Sequence, residues 1–522
     1  MKFTPETLPD NPLDLKLLIV ELQAQYEKQV SLLIEQIRLL RHNLFGVKSE
    51  KLPAAGTMQL IPLFDLPEPE ALEPELVIVP THSRKKPGRK PLPADLPRID
   101  VLHDISDEEK ICACGCTLSR IGEEVMEQLD IIPARIQVLR HIRPKYACCH
   151  CEGVDDDGPT VKIAPAPLQM IPKSIASPGL LAHILTGKFV DHLPFYRQEK
   201  IFHRKGINIG RASMCNWAMK TAEVCEPLLN LLKDEVREGR LINIDETTIQ
   251  VLAEPGRTPT QKSYMWIFRR GDPERPVLVY QYAPSRGGEI AKTFLDDFKG
   301  YVQTDGYIGY DFLDQCTGVR HVGCMAHARR KFREVVTAQG KNRKSGSADE
   351  ALAYIGRLYK LEQDARARKM TADQIHAMRQ EQAKPILDAF RQWLQKRAWQ
   401  TPPKGLLGKA INYTLKQWDR LVGYLEDGII TPDNNAAENA IRPFVVGRKN
   451  WLFSGTPQGA EASALLYSLI ETAKANGFEP YSYLRHIFQH LPMVTTLEGY
   501  EALLPWNLDR TTITRAVLDV ED

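Results

Sequence analysis

Near the start of the chain the apolar positions fall on one helical stripe. Leu15, Ile19, Leu22 and Tyr26 are spaced by four, three and four; Val30, Leu33, Ile37, Leu40 and Leu44 continue the stripe after a shift of one residue. Mixed steps of three and four are the spacing of a coiled-coil seam, and the shift has the form of a stutter. Gly46 closes a stretch with no internal proline or glycine, so residues 12–46 are predicted to form one helix. Two readings are open: a dimerisation helix, or a helix packed on its own domain. The next segment offers no neighbouring core, which favours dimerisation.

That segment, residues 47–110, reads as a proline-rich linker, acidic in "LPEPEALEPE" and basic in "SRKKPGRKPLPADLPR". Proline at this density prevents a packed core. The basic half suits an arm lying in a DNA groove, or a plain spacer. Residues 170–238 then turn helical. Within them "LPFYRQEKIFHRKGINIGRASMCNWAMKTAEVC" gives a helix, a turn at Gly206 and a second helix starting near Ser213, a residue suited to an N-cap. This is the layout of a helix-turn-helix; a generic helical hairpin has the same spacing.

From residue 240 the period changes. "LINIDETTIQVL", "SYMWIFRR" and "PVLVYQYAP" are strands rich in Ile, Val and Tyr, with "RRGDPE" as a turn. Helical "GGEIAKTFLDDF", strand "GYVQTD", strand "GVRHVGC" and helical "MAHARRKFREVV" follow. Three hairpin-compatible strands and then alternating helix and strand predict a mixed α/β sheet, in the element order of a ribonuclease-H-like fold. Residues 336–430 read as a helical insertion. After it come a helix from "DNNAAENAIRP", strand-like "NWLFSG", and helical "GAEASALLYSLIETAKANG" ended by Gly477. The predicted fold is therefore multidomain α/β. A sheet domain built from residues 239–335 and 431–490 carries the insertion; residues 491–522 form a weakly patterned tail.

Composition adds limits. At 522 residues the chain exceeds one ordinary domain, and 43% hydrophobic content is enough for a large core. No run of 18 apolar residues predicts a membrane span, and the N-terminus lacks the pattern of a secretory signal. A cytoplasmic, nucleoid-associated protein is expected. The net charge of +2 does not announce nucleic acid, but local clusters do: Arg84, Lys85, Lys86, Arg89 and Lys90, and then Arg329, Arg330, Lys331 and Arg333. Phosphates are met by such patches, although a solvated surface also carries them.

Six of the ten cysteines lie between Cys112 and Cys151, in two tight groups. In a reducing compartment such clusters hold metal more often than they form disulfides. Cys148 and Cys151 have the gap of a zinc knuckle. In the first group Cys112 with Cys114 is the favoured pair, Cys116 the substitute, and His150 a further candidate. Four thiolates around Zn2+ make a closed structural site that folds residues 111–155.

Phosphodiester chemistry calls for carboxylates on rigid elements, holding two Mg2+ or Mn2+ ions about 4 Å apart. Asp245 stands in the apolar strand "LINID", where a buried charge is costly unless met by metal or partners. Asp305 ends "YVQTD" before Gly306, and Glu438 falls in the first turns of a helix that Asp433, Asn434 or Asn435 can cap. Arg442, four residues on, shares its face and can orient the carboxylate or meet a phosphate.

The motifs "FGVKSEK", "GRKPLPADLPR", "IGEEVMEQLDIIPARIQVLRHIRPKYAC", "DHLPFYRQEKIF", "IDETTIQV", "TDGYIGY", "GCMAHARRKF", "DNNAAENAIRPFVVGRKNWLFSG" and "ETAKANG" run in order from about residue 45 to 490. In these the chain resembles the transposases of the insertion sequence 66 family. The resemblance implies an acidic triad in a ribonuclease-H-like domain, falling here on Asp245, Asp305 and Glu438, with cleavage and strand transfer at terminal inverted repeats. It also implies small accessory proteins from the same element, beside DNA and a homodimer or higher oligomer. Arg442, Arg448 and Lys449 become candidate phosphate contacts. Trp451 and Phe453 are stacking or core residues, and His327 an assistant near the metals or a structural histidine. A DNA-binding relic without catalysis and a nuclease that cuts without joining are the competing functions.

Overall fold

The computed structural model describes residues 11–45, 136–147, 161–339, 345–511 and 513. Outside them lie the sequence-predicted zinc ligands Cys112, Cys114, Cys148 and Cys151, the basic cluster Arg84, Lys85, Lys86, Arg89 and Lys90, and the linker. The chain divides into two compact units, residues 50–164 and the remainder. In the smaller, β1 (Lys145–Ala147) pairs antiparallel with β2 (Val161–Ile163), and the Arg143 guanidinium donates to the Ala164 carbonyl at 2.9 Å.

The larger unit opens with α1 (Pro12–Phe45), a single helix with Ile19, Leu22, Tyr26, Leu33 and Ile37 exposed along it. Four helices follow: α2 (Pro178–Phe189), α3 (Phe195–Arg204), α4 (Arg211–Val224) and α5 (Glu226–Glu238). The turn between α3 and α4 contains Gly206 at φ +76°, a conformation glycine adopts without strain. The second helix starts two residues before the predicted Ser213, with Gly210 as N-cap. The cause is tertiary. The Glu199 carboxylate on α3 accepts the Arg211 amide at 3.0 Å, so a donor of the first turn is satisfied from the neighbouring helix.

The sheet contains β3 (Leu241–Gln250), β4 (Lys262–Arg270), β5 (Leu278–Ala283), β6 (Gly300–Gln303) and β7 (Val319–Val322), in the order β5-β4-β3-β6-β7. β4 runs antiparallel to β3 and β5, whereas β6 is parallel to both β3 and β7. Helix α6 (Glu289–Phe294) makes the crossover from β5 to β6. After β7 come α7 (Met325–Gln339) and the helical insertion: α8 (Ser347–Ala367), α9 (Ala372–Met378), α10 (Lys384–Gln400), α11 (Leu406–Lys416) and α12 (Trp418–Leu421). The chain then returns through α13 (Asn435–Trp451), α14 (Pro457–Ala475), α15 (Pro480–His490) and α16 (Leu497–Glu501).

Two cores follow from this layout. One joins α2–α5, the sheet and α13–α15; the other joins Leu241 and Val322 to α7, α8 and α10–α12. Helix α14 also closes the sheet's edge. Its Thr472 and Ser468 hydroxyls accept the Leu278 and Tyr280 amides at 3.0 and 2.8 Å, donors that an edge strand otherwise leaves unpaired.

Two stretches differ from expectation. In "NWLFSG", Asn450 and Trp451 are the last turn of α13, which runs on through Pro443; Ser454 bridges to Val251, and the Gly455 carbonyl accepts the Ala253 amide at 3.0 Å. Packing of Phe444 and Gly447 in the core holds the helix beyond its proline. In the tail, Leu503, Leu504 and Ile513 are buried in the first core. Among the described residues no helix is long and apolar enough to cross a membrane.

Candidate active site

Strand register sets the first two acidic positions side by side. Asn243 pairs with Gln303, the last residue of β6; two residues further along each chain stand Asp245 and Asp305. Glu438 arrives from elsewhere, in the first turn of α13. A buried amide network clamps that turn to the sheet. Asn243 Nδ2 donates to Gln303 Oε1 at 2.9 Å and to Asn434 Oδ1 at 3.2 Å. Asn434 Nδ2 donates to the Ile244 carbonyl at 2.8 Å, and Gln303 Nε2 to the Thr431 carbonyl at 2.7 Å. Of the three cap candidates Asn434 is the N-cap, without a side-chain cap bond, and the Asp433 carboxylate before it accepts the Asn435 amide at 3.1 Å.

The acidic groups feel one another. Burial, then the adjacent Glu246 carboxylate, push the Asp245 carboxyl up to about 8, with Glu438 and Asp305 adding to the rise. Asp305 Oδ1 accepts the Tyr307 amide at 2.9 Å. Glu246, not singled out from sequence, is also raised by burial, against a Tyr310 hydroxyl bond and an ion pair with Arg286 at 2.5 Å.

Around Glu438 stand His327 Nδ1 at 3.9 Å and Arg330 at 3.8 Å. Neither Glu438 Oε1 nor His327 Nδ1, both buried, has a hydrogen-bond partner. Burial, then Arg330, lower the His327 pKa. The Cys324 thiol, also missed from sequence, accepts the Asn434 amide at 3.2 Å. The insertion reaches this place too: a Cβ on Gly306 would collide with the Tyr413 hydroxyl of α11, and Lys331 sits 4.7 Å over that ring.

The remaining basic candidates divide. Arg330 and Lys449 are exposed and Arg329 is half-buried. Arg442 is exposed and makes no ion pair among the described residues; the basic groups set against Glu438 are His327 and Arg330. Arg448 donates to the Thr247 and Thr248 hydroxyls at 3.2 and 3.1 Å, fastening α13 to β3. Trp451 packs edge-on against Phe444 at 5.3 Å, a core role, whereas Phe453 is exposed. The amide network left one legible trace: Asn243 is a polar residue in the middle of an apolar strand.

Fold and site together define a mixed α/β protein with a carboxylate-lined centre. The sequence model described as the Transposase IS66 family matches residues 173–462, and the chain belongs to that family. Three further family descriptions match: the zinc-finger binding domain of transposase IS66 over residues 109–152, the IS66 C-terminal element over 468–506, and "Transposase C of IS166 homeodomain" over 32–101. Similar proteins include three from Sinorhizobium fredii. Uncharacterized protein y4jD is 36% identical over 429 residues, covering 80% of this chain and 81% of its own. Uncharacterized proteins y4hP and y4qI are each 29% identical, covering 95% and 92% of this chain and 88% and 89% of theirs. At the level of the family the chain is a DNA-binding, DNA-processing enzyme.

Proposed function

We propose that this chain is a DDE transposase that cleaves and joins DNA at the terminal inverted repeats of an insertion element, with Asp245, Asp305 and Glu438 as its acidic triad. The observation that carries the reading is electrostatic. Acidic groups from β3, from the turn after β6 and from α13 are close enough that Asp305 and Glu438 both raise Asp245. A sheet ordered β5-β4-β3-β6-β7, with only β4 antiparallel to β3 among its two neighbours, supports a ribonuclease-H-like domain.

The donor set suits hard divalent cations: carboxylate oxygens, mutually repelling, one of them a buried Glu438 oxygen without a partner. Mg2+ or Mn2+, when bound by Asp245, Asp305 and Glu438, supplies Lewis-acid activation and charge neutralisation. The protein's part is positioning, through Asn243, Gln303 and Asn434. Cys112, Cys114, Cys148 and Cys151 are the proposed Zn2+ ligands of the small module, in agreement with the zinc-finger match over 109–152. Helices α3 and α4 and the basic residues, Arg330 and Lys449 among them, are assigned to DNA. The exposed apolar row on α1 is assigned to self-association in a dimer or higher oligomer, and small accessory proteins of the same element remain proposed partners.

The test is a strand-transfer assay on DNA carrying the element's ends, in Mg2+, with Asp245→Asn, Asp305→Asn and Glu438→Gln. Each variant is expected to bind DNA and neither cut nor join it. Wild-type binding without cleavage identifies a relic; cleavage without joining identifies a nuclease.

A further inference from the structure

We propose that Cys324, His327 and Glu438 form a second cation site, selective for a borderline divalent ion of the zinc class, that shares Glu438 with the acidic triad. Cys324 precedes α7 and His327 lies in its first turn, so the Cys-x-x-His spacing turns both toward one side. The His327 amide bonds the Cys324 carbonyl at 3.2 Å, which fixes that turn. Glu438 faces them from α13. Sulfur, imidazole nitrogen and carboxylate oxygen all lie within 4.8 Å of one another. Zinc bonds of about 2.0–2.3 Å place tetrahedral donors about 3.4–3.8 Å apart, so small side-chain adjustments close the set.

One unsatisfied pair points to a ligand. Glu438 Oε1 and His327 Nδ1 are both buried without hydrogen-bond partners, although they stand only 3.9 Å apart. Buried polar atoms are rarely left so, and a cation between them satisfies both. The thiol decides which cation. Mg2+ takes oxygen ligands, whereas a Cys-His-Glu set with an open fourth position is zinc chemistry. On the triad assignment proposed above, zinc held here withdraws Glu438 from the Mg2+ site, so excess zinc acts as an inhibitor.

The site is read by metal binding, independently of whether the chain cuts DNA. Full-length protein is dialysed against a mild chelator, which strips a one-thiolate site before a four-thiolate zinc module, and is then titrated with Co2+. The wild type is expected to take up one equivalent with a thiolate-to-cobalt charge-transfer band. Cys324→Ser should abolish that band, and Cys316→Ser, at a free cysteine outside the site, should leave it. His327→Gln, at a partly exposed position where folding is less at risk, should weaken Co2+ binding by about tenfold or more. A wild type without the band, or Cys324→Ser and His327→Gln proteins that bind Co2+ as the wild type does, would overturn the proposal.

Discussion

The side-chain amide of Asn434 donates to the Ile244 carbonyl at 2.8 Å, one residue short of Asp245. Beyond the last β3–β6 pair, Asn243 and Gln303, the N-terminus of α13 thus continues the hydrogen bonding of the sheet. The bond ties the first turn of α13, which carries Glu438, to a strand remote from it in sequence.

Asn434→Ala should therefore damage chemistry more than binding. It leaves a buried carbonyl unsatisfied, at a cost of about 1–3 kcal/mol. A shift of about 1 Å in a catalytic group costs on the order of 100-fold in rate. The expected result is a Mg2+-dependent cleavage rate down by about that factor, with DNA affinity retained and a lower urea midpoint. A variant cutting at the wild-type rate would show that Asn434 does not position Glu438.

Asp245→Asn should abolish cleavage and, without divalent metal, raise stability. The Asp245 carboxyl is held up to about 8, far above its unfolded value of 3.8, by burial and by like charges. The folded protein then binds this proton more tightly than the unfolded chain, so the contribution of Asp245 to stability falls as pH rises from about 4 to about 8. Asparagine has no such cost. In EDTA the gain in Tm should be small at pH 5, grow toward pH 8 and level off above it. Equal melting temperatures throughout that range would exclude repulsion at Asp245.

Much of the architecture was legible in local pattern. The apolar run around Asp245, the hairpin turn at "RRGDPE" and the stop at Gly477, observed at φ +80°, are all short-range signals. The start of α4 was not, because Glu199 supplies the bond that displaced Ser213 as cap. Nor was the end of α13, which tertiary packing carries past Pro443. At the candidate site the acidic residues stand out by type. Their support does not: Asn243 and Asn434 meet across 191 positions, and spacing along a chain holds no record of that. Cys324 and His327 are close in sequence, but Glu438, which faces them, is remote from both.

Acid should weaken the fold at His321. Its ring is buried between the Thr304 hydroxyl at 2.8 Å and the Asp314 carboxylate at 3.0 Å. Burial, and then Arg420, lower its pKa from 6.5 to about 4. The unfolded chain therefore takes up this proton first as pH falls, and stability is lost between about 6.5 and about 4. A displacement of that size corresponds to about 3 kcal/mol. The urea-unfolding stability difference between wild type and His321→Gln should shrink by about that amount from pH 7 to pH 4, the variant being the less stable at pH 7. An unchanged pH slope in the variant would mean the proton is taken up elsewhere.

The helical insertion is tied to the site by a buried guanidinium. Arg379, about 1% exposed, bonds both Glu362 oxygens on α8 at 2.8 and 2.9 Å. It also donates to the carbonyls of Tyr424, Asp427 and Ile430 at 2.7, 2.9 and 2.8 Å. The chain runs directly from Ile430 to Thr431, whose carbonyl takes Gln303 Nε2, and on to Asn434. Arg379→Met strands the Glu362 charge and three carbonyls together, and breaking such a buried pair costs about 3–5 kcal/mol. Adding Glu362→Leu removes the stranded charge but leaves the carbonyls without donors. The double variant should therefore recover part of the lost stability in urea unfolding, while its cleavage rate stays depressed. Full recovery of both would mean that Arg379 serves only to neutralise Glu362 and has no part in placing residues 431–434.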